Sequence, residues 1–333
     1  MIRYILGRVA ILPVQVLAVL LFTFILSRLT KQSPAFYMAG PYATQETLAR
    51  VESQLGLDKP IYVQFGVYVA NVLRGNFGVS VITGRSTLAD ITDRLPATLE
   101  LITISLVLAV AIGLPLGILT AFKSSRIAGG LTTAYGLLAG SFPDFVVGIL
   151  AVFVFYTTLH WATAPVGRID ASVIPTKLTG SYFLDGILTG NLAAVQSSAA
   201  HLVLPVLTML VVYTGGIIKI VRTSVRELRT SEMVFYAKAC GFYERTRLWY
   251  VLRNALPPIV TITGVTYGVL IGAAVLVETV FGWGGVGQYS VQAIAFSDFP
   301  ALQTFVIFAT TFSLVVYIVV DILQVVINPR LRY

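Results

Sequence analysis

The chain is short of nearly everything soluble catalysis uses. Only 11% of its 333 residues are charged; there are 15 acidic side chains, two histidines and a single cysteine, Cys240. One cysteine excludes an intramolecular disulfide and leaves the redox compartment open. No GxxxxGK[ST] stretch occurs, and no glycine is followed by lysine, so the chain is not itself a Walker-type nucleotide hydrolase. CxxC and HExxH are absent. His160 and His201 could share a metal with Asp170, but their spacing fits no ligand pattern. No Ser/His/Asp arrangement can be argued from order alone, and nothing resembles a selectivity filter or a ring of charges.

What is abundant is apolar. Hydrophobic residues make up 56% of the chain, and mean hydropathy is +0.85. A soluble fold carries about a quarter charged residues, so this composition specifies an integral membrane protein. The apolar runs are continuous rather than alternating, which argues for helices and against a barrel. A span needs roughly 20 apolar residues. Six stretches qualify: Val9–Ser27, Leu101–Phe122, Leu131–Leu159, Leu202–Ile218, Ile259–Val280 and Leu302–Val326. The first follows two arginines like a leader. It is longer than the usual leader core and no small-x-small site follows at once, so it reads as a retained span.

The net charge of +8 then describes topology rather than nucleic-acid binding. Arg3 and Arg8 precede the first span, Lys123 and Arg126 separate the second and third, and Arg330 and Arg332 follow the sixth. The interval Val221–Pro258 is the most basic; with Lys219 it carries Arg222, Arg226, Arg229, Lys238, Arg245, Arg247 and Arg253. On the opposite side, Arg168 and Lys177 are balanced by Asp170 and Asp185, and the loop Phe281–Pro300 has only Asp298. Both termini and the basic interval are therefore expected in the cytoplasm.

Residues 31–96 are too long for a simple external loop and read as a small subdomain. Thr44 caps a helix to Leu55 with Gly56 after it, and Pro60 opens a second helix to Leu73. Val79, Val81 and Ile82 are expected as a short strand. Thr87 and Asp90 have capping-box spacing ahead of a short helix that Pro96 ends. The segment serves either as a lid and docking surface or as a cover over the span ends. Pro115 with Gly113 and Gly117 predicts a kink and close helix contact in the second span, and Pro143 a bend in the third.

Asp144, Glu278 and Asp321 fall within or at the edge of spans, where a charge costs about 2.5–3.5 kcal/mol at the bilayer centre. They are scattered in depth, which favours interfacial anchoring or interhelical hydrogen bonds over a proton relay. The last three spans are threaded with hydroxyls, and Thr263, Thr266 and Tyr267 share one face. Such hydroxyls either line a passage for a polar solute or bond carbonyls of their own helices.

The basic interval has internal order. The fourth span extends out as a helix through Leu228; a short helix ends before Gly241; and an amphipathic helix with Leu248, Val251, Leu252 and Ala255 on one side runs to the proline pair Pro257–Pro258. The alternative is a basic helix lying on anionic lipid. Ala237-x-x-x-Gly241, followed fifteen residues later by Leu256–Pro257, resembles the coupling motif of ABC importer permeases. KACG with LRNALPP looks like the dipeptide, oligopeptide and nickel permease family. In order along the chain come LGLDKP, RGNFGVS, RLPATLEL, PVGRI, HLVLP, ETVFGWGGVG and NPRLRY. Together they resemble the first of that family's two paired permeases. The departures are Phe235 and Tyr236 for the motif's Glu and first Ala, Cys240 for a frequent Lys, Gly284 for a common Pro, and Asn328 for Asp.

The resemblance implies an all-α integral membrane protein of six transmembrane helices. A small external subdomain lies between helices 1 and 2, and a cytoplasmic coupling helix between helices 4 and 5. The implied divisions are an N-terminal transmembrane helix at 1–30, the external subdomain at 31–96, and the permease core at 97–333 with the coupling segment at 221–258. The implied function is a multi-pass permease of the cell inner membrane, not an enzyme, importing peptides. Nickel chelates, oligosaccharides or opine-like solutes are the alternatives within the branch. The implied partners are a second permease, one or two ATPase subunits carrying ATP and Mg, an extracytoplasmic solute-binding protein, and the lipid bilayer; this chain itself holds no cofactor or metal. Phe235, Tyr236, Ala237, Lys238, Ala239, Cys240 and Gly241 would dock the ATPase, with Arg245, Arg247, Leu256 and Pro257 behind them. Asp144, Thr263, Thr266, Tyr267 and Glu278 would line the passage. Trp283, Gly284 and Gly285 would form the external gate or meet the binding protein. A rival from another class, an ion-coupled secondary transporter, usually shows internal repeats, and none is seen. A membrane scaffold would show no ATP-dependent transport.

Overall fold

A computed structural model describes residues 2–28, 43–55, 57, 59–122 and 126–327. The first part of the 31–96 segment, Gly56, Lys123 and the NPRLRY stretch lie outside them. The described helices are α1 (Ile2–Arg28), α2 (Gln45–Leu55), α3 (Ile61–Leu73), α4 (Thr87–Phe122), α5 (Arg126–Ala139), α6 (Asp144–Ala151), α7 (Tyr182–Leu188), α8 (Leu192–Arg229), α9 (Glu232–Ala239), α10 (Glu244–Val280), α11 (Val286–Ala295) and α12 (Phe299–Ile327). A π-helical turn, Val152–Thr158, continues α6.

The protein is all-helical, and among the described residues four helices are long and apolar enough to cross a bilayer: α4, α8, α10 and α12. The expected third span is not one helix. It breaks between Ala139 and Asp144, where Pro143 disfavours helical backbone at the residue before it. Three other prolines act less than their local rule predicts. Pro96 does not end a short helix; α4 runs through it for 36 residues. Pro257 and Pro258 lie inside α10, which continues to Val280. Each lacks an N–H, so the carbonyls of Arg253 and Asn254 lose a helical partner, yet burial of the flanking Ala255 and Ile259 keeps the helix in place.

The expected strand at Val79, Val81 and Ile82 is a turn with one isolated bridge, Val79 to Ser86. Side-chain chemistry explains this. The carboxylate of Asp298 accepts from the Ser80 hydroxyl at 2.5 Å and from the Ile82 amide at 3.2 Å, so that amide is not free for a partner strand. Nor do Thr87 and Asp90 cap one another. The Thr87 hydroxyl donates to the Gly78 carbonyl, and the Asp90 carboxylate accepts from Thr83 and Tyr289.

Small residues set the spacing of the bundle. α4 packs most extensively against α8. A Cβ on Gly113 would stand 2.9 Å from the Ile217 side chain, and one on Gly117 only 2.6 Å from Val221. Gly264 and Gly268 of α10 likewise admit Val320 and Tyr317 of α12. α1 lies on α12 and α3: Gln303 donates to the Thr23 carbonyl, Thr23 meets the Tyr68 hydroxyl, and Arg28 reaches Gln64.

The loop before α7 is held by a buried acid. Asp185 accepts from the amides of Leu178, Thr179 and Gly180 and from the Thr179 hydroxyl, at 2.7–3.1 Å. Burial works to raise its pKa, but these four donors outweigh it and hold the carboxyl below the ordinary range. A depressed folded-state pKa gives stability that is fully present above the unfolded value near 4 and lost as pH falls through the folded one. Asp185→Asn should therefore lower thermal stability at neutral pH by about 1–3 kcal/mol. The gap to the unmodified protein should close on acidification below about pH 4; melting curves across pH 3–7 check this, and a gap that widens in acid contradicts it.

Candidate functional site

The residues expected to couple gather at one end of the bundle. α9 ends in a hydrogen-bonded glycine turn: the Gly241 amide donates to the Lys238 carbonyl at 3.0 Å, and the Phe242 amide to the Ala237 carbonyl at 3.0 Å. This pair of bonds is a Schellman cap, which requires left-handed backbone at the residue after the cap. Gly241 supplies it with φ +78°. A Cβ there would meet nothing within 4 Å, so backbone geometry rather than crowding selects glycine.

The turn divides buried from exposed residues sharply. Ala237 is 4% exposed, whereas Phe235 and Tyr236 are 75% and 70% exposed. Lys238, Ala239 and Cys240 also face outward. Phe242 meets the Tyr250 ring edge-on, and the Asn254 amide reaches the Met233 sulfur; both contacts hold the turn on α10. Arg245 is exposed and Arg247 half-buried, its Nε without an acceptor among the described residues. Leu256 is exposed and Pro257 half-buried. Behind the turn, Val221 and Val225 of α8 pack with Val251 and Ala255 of α10. Arg229 donates to the Ala121 carbonyl at 2.7 Å and covers the Phe122 ring, tying the end of α4 to α8. Glu232 and Glu244 sit in the first turns of α9 and α10, where an acid favours the helix dipole.

The residues expected in the passage do not form one cluster. Asp144 opens α6 and accepts from the Tyr213 hydroxyl at 2.8 Å. Thr263 bonds the Ile259 carbonyl of its own helix, as Thr261 does with Pro257. Thr266 is buried. Tyr267 packs on Phe312, and its hydroxyl meets that of Thr103 at 2.8 Å, on an exposed stretch of α4.

Glu278 is wholly buried. It accepts from the Thr98 hydroxyl at 2.5 Å and from the Gln288 amide at 2.9 Å, while Thr98 in turn accepts from the Val286 amide. Trp283 is also buried and donates to the Ala97 carbonyl at 2.9 Å. Gly285 is where it is because a Cβ would collide with Glu278 and Thr98. Gly284 is half-buried with φ +76°, its amide bonded to the Gln288 side chain. The ETVFGWGGVG stretch is thus a plug of α10, loop and α11 locked onto the N-terminal part of α4.

Several residues of this end escape sequence reasoning. Glu100 accepts from Ser181 and the Phe183 amide and lies 3.6 Å from Arg168. Both partners of that ion pair occur in quoted stretches, RLPATLEL and PVGRI, but their contact is not visible from either. Asp298, counted only as a loop charge, is fully buried and caps α12 through the Ala301 amide. His201 lies 3.9 Å from Asp170, which bonds Ser197; among the described residues no group of acids, histidines and cysteine could hold a metal.

The comparisons with known proteins cover the whole of this architecture. Residues 113–333 match the family described as the binding-protein-dependent transport system inner membrane component, and residues 1–102 match its N-terminal membrane component. A probable D,D-dipeptide transport system permease of Escherichia coli (strain K12) is 38% identical, over 95% of this chain and 93% of its own. The dipeptide transport system permease of Alkalihalophilus pseudofirmus is 30% identical over the full length of both chains. A glutathione transport system permease of Salmonella paratyphi A is 31% identical, again over both full lengths.

Proposed function

Because this chain belongs to the inner membrane components of binding-protein-dependent transport systems, and is a permease subunit of an ABC importer, we propose that it carries peptides across the inner membrane together with a second, homologous permease. ATP hydrolysis belongs to separate subunits, and the system includes an ATPase and a solute-binding protein. In this reading one or two ATPase chains hold ATP and Mg, six spans cross the bilayer, and both termini face the cytoplasm. Residues 31–96 form the external subdomain.

The observation that carries the reading is the turn at Gly241. It is an exposed aromatic and basic surface, Phe235 to Cys240, mounted on a buried Ala237 and a capped glycine, and it feeds directly into α10. Such a surface suits docking to a soluble subunit, with Arg245 and Arg247 adding charge and Leu256 and Pro257 leading into the span. For the passage, Thr103 and Tyr267 are favoured. A hydroxyl pair exposed on the flank of two spans is unfavourable against hydrocarbon and suits a water-filled path or the second permease. Asp144, Thr263 and Thr266 stand further along this reading. Trp283, Gly284 and Gly285 shape the gate as part of the plug rather than as a free surface.

Cys240 provides the test, since it is the chain's lone thiol and is exposed. A membrane-impermeant maleimide should label it in inside-out vesicles and not in right-side-out ones. Stripping the ATPase from those vesicles should raise the labelling rate several-fold, and re-adding it should restore protection. Labelling from the outer face, or a rate indifferent to the ATPase, refutes the docking assignment.

A further inference from the structure

The coupling function leaves unused a basic cavity on the flank of the bundle. About 570 Å³ in volume, it lies between α5 and α8, lined on α8 by Lys219, Arg222, Arg226 and Glu227 and on α5 by Thr132. The three cations fall at i, i+3 and i+7, one side of the helix. Against Glu227 they leave an excess of two positive charges. Arg222 donates to the Thr132 hydroxyl at 3.1 Å, which fixes its guanidinium across the cavity. Lys219 and Arg226 have no acceptor among the described residues.

A second cavity, about 280 Å³, adjoins the first and shares Thr132 and Ile218 with it. It is almost entirely apolar: Ile112 and Leu116 of α4, Leu131 and Tyr135 of α5, and Val211 of α8 line it. From Lys219 back to Val211 is about 12 Å along the helix. A polar, cationic chamber therefore opens into an apolar groove directed into the span. Its basic end begins where the fourth apolar stretch gives out, at the level of the headgroups. A soluble anion would use only the first chamber, and a partner helix would bring apolar side chains against Lys219 and Arg226. An amphiphile with an anionic head and a hydrocarbon tail matches both chambers at once.

We infer that this is a phospholipid site: the basic cavity binds the phosphate of an anionic phospholipid of the cytoplasmic leaflet, and the groove takes one of its acyl chains. The site selects phosphatidylglycerol or cardiolipin over zwitterionic phosphatidylethanolamine, whose ammonium would meet Lys219 and Arg226. By pinning α5 to α8 close to the coupling turn, it makes the assembly dependent on anionic lipid. The inference rests on the cytoplasmic placement of this end. Labelling of Cys240 tests that placement separately, so a wrong orientation and an empty cavity give different results.

The test is lipid analysis of the intact transport assembly, purified in mild detergent from membranes of known composition. Mass spectrometry should find anionic phospholipid enriched about five-fold or more over phosphatidylethanolamine, relative to the source membrane. The double variant Lys219→Gln/Arg226→Gln should lose that enrichment, while Arg253→Gln, which removes an exposed charge elsewhere on the same face, should keep it. Leu131→Trp fills the groove with the charges intact and should also lose it, so a folding failure of the double variant does not leave the inference untested. Enrichment that survives both variants overturns it. So does full displacement of the lipid by millimolar glycerol phosphate, which would mark a site for soluble phosphate. Release of the second permease by the double variant, with lipid unchanged, would show instead a protein interface and equally overturn it.

Discussion

Gly241→Val should reduce uptake at least ten-fold and release the ATPase on purification, with the chain still present in the membrane at near-normal level. The reason is conformational rather than steric. Gly241 has φ +78° and open space where a Cβ would stand. An L-residue in left-handed backbone costs roughly 1–2 kcal/mol, and a β-branched one is the worst case. The turn relieves that strain by abandoning the two capping bonds to Lys238 and Ala237. α9 would then swing away from α10, carrying Phe235 and Tyr236 with it. Asn tolerates the same backbone, so Gly241→Asn should keep most of the uptake. Uptake and ATPase co-purification, measured on both variants, decide the matter. Equal loss in Asn and Val would point to a need for a bare backbone at the partner surface. Unchanged uptake in Val would remove this turn from the coupling mechanism.

Glu278→Ala should lower stability markedly where α10 and α11 meet α4. Its carboxylate serves the Thr98 hydroxyl and the Gln288 amide, and no water-exposed surface remains to compensate them. Each group left unpaired costs about 1–3 kcal/mol. The plug that carries Trp283 would loosen from Ala97, and both thermal stability and uptake should fall together. Glu278→Gln keeps the volume but presents an NH2 to one of the two donors, so it should lie between. A residue that merely lined the passage would behave otherwise, with reduced uptake at an unchanged melting temperature. Melting curves alongside transport assays separate the two roles.

Much of this is legible in the residues, and what is not has a common cause. α8, α10 and α12 follow from long apolar runs, and the turn at Gly241 follows from a glycine after a short helix. Those signals are local. Pro96 and Pro257–Pro258 mislead because their effect is also local, whereas the helices they interrupt are held by partners far along the chain. The buried acids are hidden for the same reason. Asp298 meets Ser80 and Glu100 meets Ser181, each across a separation that no periodicity reports. Asp185 is the exception, its donors lying within a few residues, and an Asp shortly after a Thr-Gly-Ser run could have been read as a loop staple. Thr103 escapes because a single threonine in a span is ordinary until a tyrosine from another helix is seen to meet it.

The continuity of α10 through its two prolines places the Gly241 turn and the plug around Trp283 on one lever. A helix of 37 residues is about 55 Å long. Tilting such a rod by some 5° about one end carries the other by about 5 Å, close to one helical pitch. A nudge of the Gly241 turn therefore need not be relayed through a chain of side chains to be felt at Glu278. The paired prolines stand about a third of the way along, and the helix runs on through them to Val280. A motor docked at the turn, as proposed, and the plug around Trp283 would then be joined by the stiffness of a single helix.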